Sequence, residues 1–172
     1  MQLNAYTASG QVDRAIEVYG KTVADNPDNK LYRYNLGSLL LQNGQHDEAI
    51  EQLKEAVRID DAYTDAQYNL GAAYVNKAIN INNRINEIDD DLRANKSSLS
   101  ADEVAAKETE MDTLASERRE LFGVAVTPLE KARVLGEAEG RQVAEICRVL
   151  FQSYVQVGET EKAESIQECA GL

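Results

Sequence analysis

Apolar positions along the middle of the chain recur at helical spacing in two blocks separated by a polar break. Leu36, Leu39 and Leu40 fall on one face of a first helix, and Ala49, Ile50, Leu53, Ala56, Val57 and Ile59 form the stripe of a second. Between them stands Asn43-Gly44, and a glycine just past a helix can take the left-handed conformation that ends it. Asp47 lies at the start of the second helix, where a negative charge suits the positive end of the helix dipole. The pattern predicts two antiparallel helices joined by a short turn. Gly37 and Ala49 are small enough to let their backbones approach closely.

The pattern repeats. Tyr34-Asn35-Leu36-Gly37 returns as Tyr68-Asn69-Leu70-Gly71, Gly10-Gln11 as Gly44-Gln45, and Ala15-Ile16-Glu17 as Ala49-Ile50-Glu51, each 34 residues later. Three separate matches in one register mark a helical repeat. Residues 1–29 form a partial first unit, with Gly10, Ala15, Tyr19 and Pro27 at matching places and only half of a first helix in Met1 to Ser9. That half-helix implies a fragment or processed product with sequence missing upstream, the alternative being a natural start at Met1 with a short first helix. The second unit spans 30–63, the third 64–143 and the fourth 144–172, where Leu150, Tyr154, Gly158, Ala163 and Ala170 are in register. The fourth lacks the polar capping helix expected at the end of an array.

The third unit is interrupted. It begins normally with Leu70, Gly71 and Tyr74, but its turn glycine is missing, and the early alanine of its second helix, Ala125, comes 42 residues later than the period predicts. The insertion, at about 79–123, stays helical: Ile81, Ile85, Ile88 and Leu92 step by coiled-coil spacing. A polar bend, Asn95-Lys96-Ser97-Ser98-Leu99, is followed by Ser100-Ala101-Asp102-Glu103, a capping-box pattern. Val104, Met111, Leu114, Arg118 and Leu121 carry a second seam back. Each helix of the unit is thereby lengthened by roughly 21 residues, about 30 Å, into a projecting antiparallel hairpin. Thr127-Pro128-Leu129-Glu130 is either a new capping box or a kink in a continuous helix, and with Gly123 it points to a kink or short break near 123–128.

Leu36, Gly37, Gly44, Ala49, Leu53 and Ala56, together with Pro27 one unit earlier, resemble the tetratricopeptide repeat family, with departures at Arg33 and Asp61. The resemblance implies an all-α, right-handed solenoid of antiparallel helix pairs, here carrying a coiled-coil-like hairpin. It also implies a concave groove, lined by first helices, that holds a peptide or protein. Carried over, the groove positions are Tyr34, Asn35, Ser38 and Gln42, then Asp65, Tyr68, Asn69, Ala72 and Asn76, then Glu145, Arg148, Gln152 and Gln156. Tyrosine offers contact area at low entropy cost, and asparagine bonds a peptide backbone through both donor and acceptor. The competing reading has Tyr34 and Tyr68 packed between helices, with Asn35 and Asn69 as plain repeat consensus. A subfamily clamps a C-terminal carboxylate with basic residues where this chain has Tyr34 and Glu145, so that clamp is not expected.

Charge narrows the partners. A net charge of −12 and a pI near 4.5 argue against nucleic acid and anionic membrane surfaces. No stretch approaches the roughly 18 apolar residues of a membrane span. His46 is the only histidine, so no metal site, cofactor site or catalytic constellation is expected; it is read as a solvated turn residue. Asp89-Asp90-Asp91 lacks the spacing of a calcium loop and is read as a solvated run. Cys147 and Cys169 are read as two buried thiols, a disulfide being the alternative, and Asn95-Lys96-Ser97 matches a glycosylation sequon. The functional expectation is a non-enzymatic scaffold or adaptor, with self-association through the hairpin as the alternative. The truncated first unit gives a weak lean towards an extracytoplasmic or periplasmic setting.

Overall fold

The computed structural model describes residues 12–95 and 97–172, which are helical and without strands. The half-helix expected over Met1 to Ser9 lies outside the described residues, as does Lys96 of the sequon. The helices are α1 (Val12–Asp25), α2 (Lys30–Gln42), α3 (His46–Ile59), α4 (Thr64–Asn95), α5 (Ala101–Ala138), α6 (Ala144–Val157), α7 (Thr160–Ser165) and α8 (Gln167–Ala170). Each of α1 to α6 packs on the next in the chain, and α6 packs on both α7 and α8. First helices of successive pairs also meet, α2 with α4 and α4 with α6.

Local chemistry sets the helix ends. The Asn29 side chain accepts from the Leu31 and Tyr32 amides at the start of α2, and Gly44, at φ 75°, turns the chain into α3 as its sequence position implies. Ser100 caps α5 through a complete capping box with Glu103.

The helix pairs close where side chains are absent. A Cβ on Gly37 would stand 2.7 Å from Leu53 Cγ and 3.3 Å from the Ala49 carbonyl oxygen. A Cβ on Gly71 would stand 2.7 Å from Leu129 Cδ2 and 3.3 Å from the Ala125 carbonyl oxygen. Gly71 therefore meets Ala125 and Leu129 as Gly37 meets Ala49 and Leu53. The third pair keeps the packing of the second, although its partner residues are displaced along the sequence by 42 positions. Leu53, Leu129, Ala49 and Ala125 are all fully buried.

Beyond that contact, α4 and α5 run on as an arm. Their 32 and 38 residues correspond to about 48 and 57 Å of helix. The seam residues Ile81, Ile85, Ile88, Leu92, Val104, Met111, Leu114 and Leu121 are all half-buried. Arg84 pairs with Glu110 at 2.7 Å and Lys107 with Asp91 at 2.9 Å across the two helices. Asp89 pairs with Arg93 at 2.6 Å.

Three expectations need correction. Of the alternatives at 123–128, the new capping box and the short break are not seen, because α5 is continuous. Pro128 lies inside it and is buried, and Ala125, Leu129 and Ala132 beside it are fully buried, so packing outweighs the local cost of proline. The Val124 carbonyl, deprived of its usual donor four residues on, sits on a residue that is 51% exposed, where water can serve it. Cys147 and Cys169 are not free thiols but a disulfide, with Cα atoms 5.8 Å apart, joining α6 to α8. The second helix of the last unit is split at Ile166 into α7 and α8. In register, Phe151 stands where Gly37 and Gly71 stand in the earlier pairs, and the disulfide adds a covalent link to the burial of Ala163, Ile166 and Ala170. His46, finally, is half-buried, with Nδ1 shielded and unpartnered; its burial lowers its pKa below 6.5.

Candidate functional site

The groove positions lie on α2, α4 and α6, of which α2 meets α4 and α4 meets α6. Ser38 is buried: its hydroxyl donates to the Tyr34 carbonyl at 2.8 Å and accepts from Asn69 Nδ2 at 2.9 Å. These two residues join α2 to α4, so much of their hydrogen-bonding capacity is already used.

Tyr34 is half-buried, its ring centroid 5.0 Å from that of Tyr63, and burial pushes its hydroxyl pKa up. Tyr63, which carries the Lys30 ammonium 5.4 Å from its ring centroid, is pushed up to about 12, again mainly by burial. Tyr68 is half-buried in the same way and stands near Glu145 and Arg148. Tyr34 and Tyr68 both pack against the core.

Charge on this face is mostly paired. Asp65 bonds Arg141 at 2.6 Å, and Arg141 also reaches Glu139 at 3.4 Å. Glu139 accepts from Thr64 Oγ1 at 2.6 Å. The loop between α5 and α6 is thereby fixed to the start of α4. Arg148 pairs with Glu145 one turn away. Asn35, Ala72 and Asn76 are half-buried, while Gln42, Gln152 and Gln156 are exposed. What a partner would meet is therefore the outer edges of Tyr34 and Tyr68, free amides, and a carboxylate–arginine pair.

Toward the arm, the face continues into a cleft of about 140 Å³ lined by Ile79 and Asn82 of α4, Arg118 and Phe122 of α5, and Gln152 and Gln156 of α6. Sequence reasoning placed Arg118 in the arm's seam and passed over Ile79, Asn82 and Phe122. A charged residue in an otherwise apolar seam was the available signal. Lys30, Tyr63 and Arg141 were also missed, because they lie at pair junctions outside the groove positions.

A tetratricopeptide repeat family model matches residues 1–64. The small glutamine-rich tetratricopeptide repeat-containing protein 2 of Mycosarcoma maydis is 42% identical over 59 residues, 34% of this chain. The TPR repeat-containing thioredoxin TTL4 of Arabidopsis thaliana is 31% identical over 72 residues, 42% of this chain. Two solved structures of MamA, MSR-1 and AMB-1, align over 97% and 99% of this chain at 21% and 20% identity, with TM-scores of 0.61 and 0.63. Over residues 1–64 the chain carries tetratricopeptide repeats.

The matched segments span only 17% and 11% of the two curated relatives' own lengths, and the MamA likeness speaks for the fold alone. The repeat packing described above, with Gly37 on Leu53 and Gly71 on Leu129, extends tetratricopeptide pairing beyond residue 64. Among the described residues, no cluster of three or more His, Cys, Asp or Glu side chains is placed to hold a metal ion, and no helix is long and apolar enough to cross a membrane.

Proposed function

We propose that this chain is a protein-interaction scaffold that holds a peptide or extended protein segment on the first-helix face of α2, α4 and α6. What supports the reading is that α2 meets α4 and α4 meets α6. Tyr34, Tyr68, Gln42, Gln152 and Arg148 present aromatic edges, amides and one guanidinium on that face, over helices fixed by the Ser38–Asn69 bond. Half-buried tyrosines are rigid, so little entropy is lost when a partner covers them. Net acidity favours a neutral or basic partner over nucleic acid.

The test is selection of linear peptides from a displayed library on the purified chain. Selected peptides are expected to lose binding to Tyr68→Ala and Gln152→Ala while retaining it to an arm-tip change such as Glu108→Gln. A library that yields no binder, or binders indifferent to both face substitutions, contradicts the reading.

A second reading, self-association through the arm, is favoured by the half-buried apolar seam of α4 and α5. Light scattering across protein concentrations separates the two, since a mass that stays monomeric rejects self-association.

A further inference from the structure

We propose that the cleft between the arm's base and α6 is a subsite for the side-chain carboxylate of an aspartate or glutamate in the bound segment, with Arg118 as the recognising cation. The inference rests on the reading of the first-helix face given above and names the chemistry of one residue of the partner.

Three observations converge. First, the cleft has an unusual charge balance for this molecule. The chain carries 30 acidic and 18 basic residues. Four other clefts on the described surface each contain carboxylates: Asp28 and Asp60; Asp47 and Glu48; Asp89 and Glu108; and Asp60, Asp65 and Glu139. This one contains a cation and no anion.

Second, Arg118 is under-satisfied. Its Nη1 donates to the Asn82 Oδ1, a neutral acceptor, and its Nε is shielded from solvent without a partner. Among the described residues no carboxylate lies within 4.0 Å of it; Arg33 and Arg119 share that lack but bond backbone or amide oxygens outside this cleft, whereas Arg84, Arg93, Arg133, Arg141 and Arg148 all have a carboxylate. A guanidinium is a planar fork of donors suited to a carboxylate, and a half-buried one gains most from an ionic partner because its hydration is already reduced.

Third, size and surroundings suit one side chain. About 140 Å³ is well below the roughly 300–1,000 Å³ of small-molecule pockets. Ile79, 39% exposed, and buried Phe122 would line the aliphatic stem, and the amides of Gln152 and Gln156 add donors. Gln152 and Gln156, which line the cleft, are also groove positions on α6, so the cleft adjoins the face on which a segment would lie. The arm thus contributes to the binding face: its return helix supplies the charge that the repeats themselves lack at that end.

The test is nitrogen-15 NMR of the arginine Nε–H signals of the full chain, titrated with N-acetylglutamate N-methylamide and, separately, with its glutamine counterpart. The Arg118 signal is expected to shift saturably with the glutamate compound and not with the glutamine compound, while the already paired Arg84, Arg93 and Arg133 move little. Arg118→Gln removes the response. Asn82→Asp, which keeps the arginine but places a carboxylate of the chain's own beside it, is expected to abolish the response with the other arginine signals unmoved. An unmoved Arg118 signal, a response to glutamine equal to that to glutamate, shifts spread evenly over all arginines, or a response that survives Asn82→Asp each overturns the inference. The titration needs no groove-binding peptide, so its failure is read independently of the failure of peptide selection.

Discussion

The same two helices, α4 and α5, behave differently at their base and along their projecting length. At the base, Gly71 meets Leu129 and Ala125, α3 packs on one side and α6 on the other, and the contact residues are fully buried. Toward the tip of the arm, past Arg84 and Arg118, the ion pairs of each helix are with the other helix or within itself. The seam is half-buried, and ion pairs such as Arg84–Glu110 and Lys107–Asp91 span it. Exposed pairs of that kind contribute about 0–1 kcal/mol each, and a half-covered aliphatic side chain contributes well under its full transfer energy. Helix length therefore does not measure stability here. The number of neighbours does: the base anchors the arm, and the arm adds surface more than stability.

Substitutions sharpen this contrast. Leu129→Ala at the base should lower unfolding stability by about 2–5 kcal/mol, the range for a fully buried leucine, as measured by denaturant titration. Removing the disulfide with Cys147→Ser and Cys169→Ser should cost about 3 kcal/mol for a closed loop of this length, because α7 and α8 are too short to hold as isolated helices. Gly71→Ala should cost about 1–3 kcal/mol through overpacking against Leu129 and the Ala125 carbonyl. Ile85→Ala in the arm should cost only about 1 kcal/mol, since part of its aliphatic surface is already in water. An arm change as damaging as Leu129→Ala would break the comparison.

The smallest effect concerns His46, beside the base of the arm. Burial lowers its folded pKa below 6.5, so the fold favours the neutral imidazole. Its contribution to stability is present above pH 6.5 and is lost as pH falls through the folded pKa. Proton NMR of this single histidine should titrate with a midpoint below 6.5, and a midpoint above it would contradict the burial described.

Much of the fold was readable because close helix contact leaves a chemical mark. Gly37, Gly71, Ala49 and Ala125 recur where a larger side chain would collide, and that fixed both the period and the size of the insertion. The disulfide was not readable, since a separation of 22 residues leaves the distance between two cysteines open until α7 and α8 are placed. At Pro128 the sequence left a break and a kink in a continuous helix both open, and the burial of Ala125, Leu129 and Ala132 keeps the helix continuous. On the candidate face, Ser38 and Asn69 looked available as a pattern on separate helices, and only the fold showed that they bond each other. Arg118 was visible as an arginine in an apolar seam, but its lack of an ionic partner is a property of three helices at once.

The account's central claim is that the arm interrupts an otherwise ordinary tetratricopeptide pair. Excising residues 80–121, with Lys77→Asn and Ala78→Gly to restore the short turn seen at Asn43-Gly44, tests it directly. Circular dichroism of the shortened chain during thermal unfolding should show a helical protein that melts in one cooperative transition. A shortened chain without cooperative unfolding, beside a full chain that has it, would mean that the arm is part of the core and would contradict the claim.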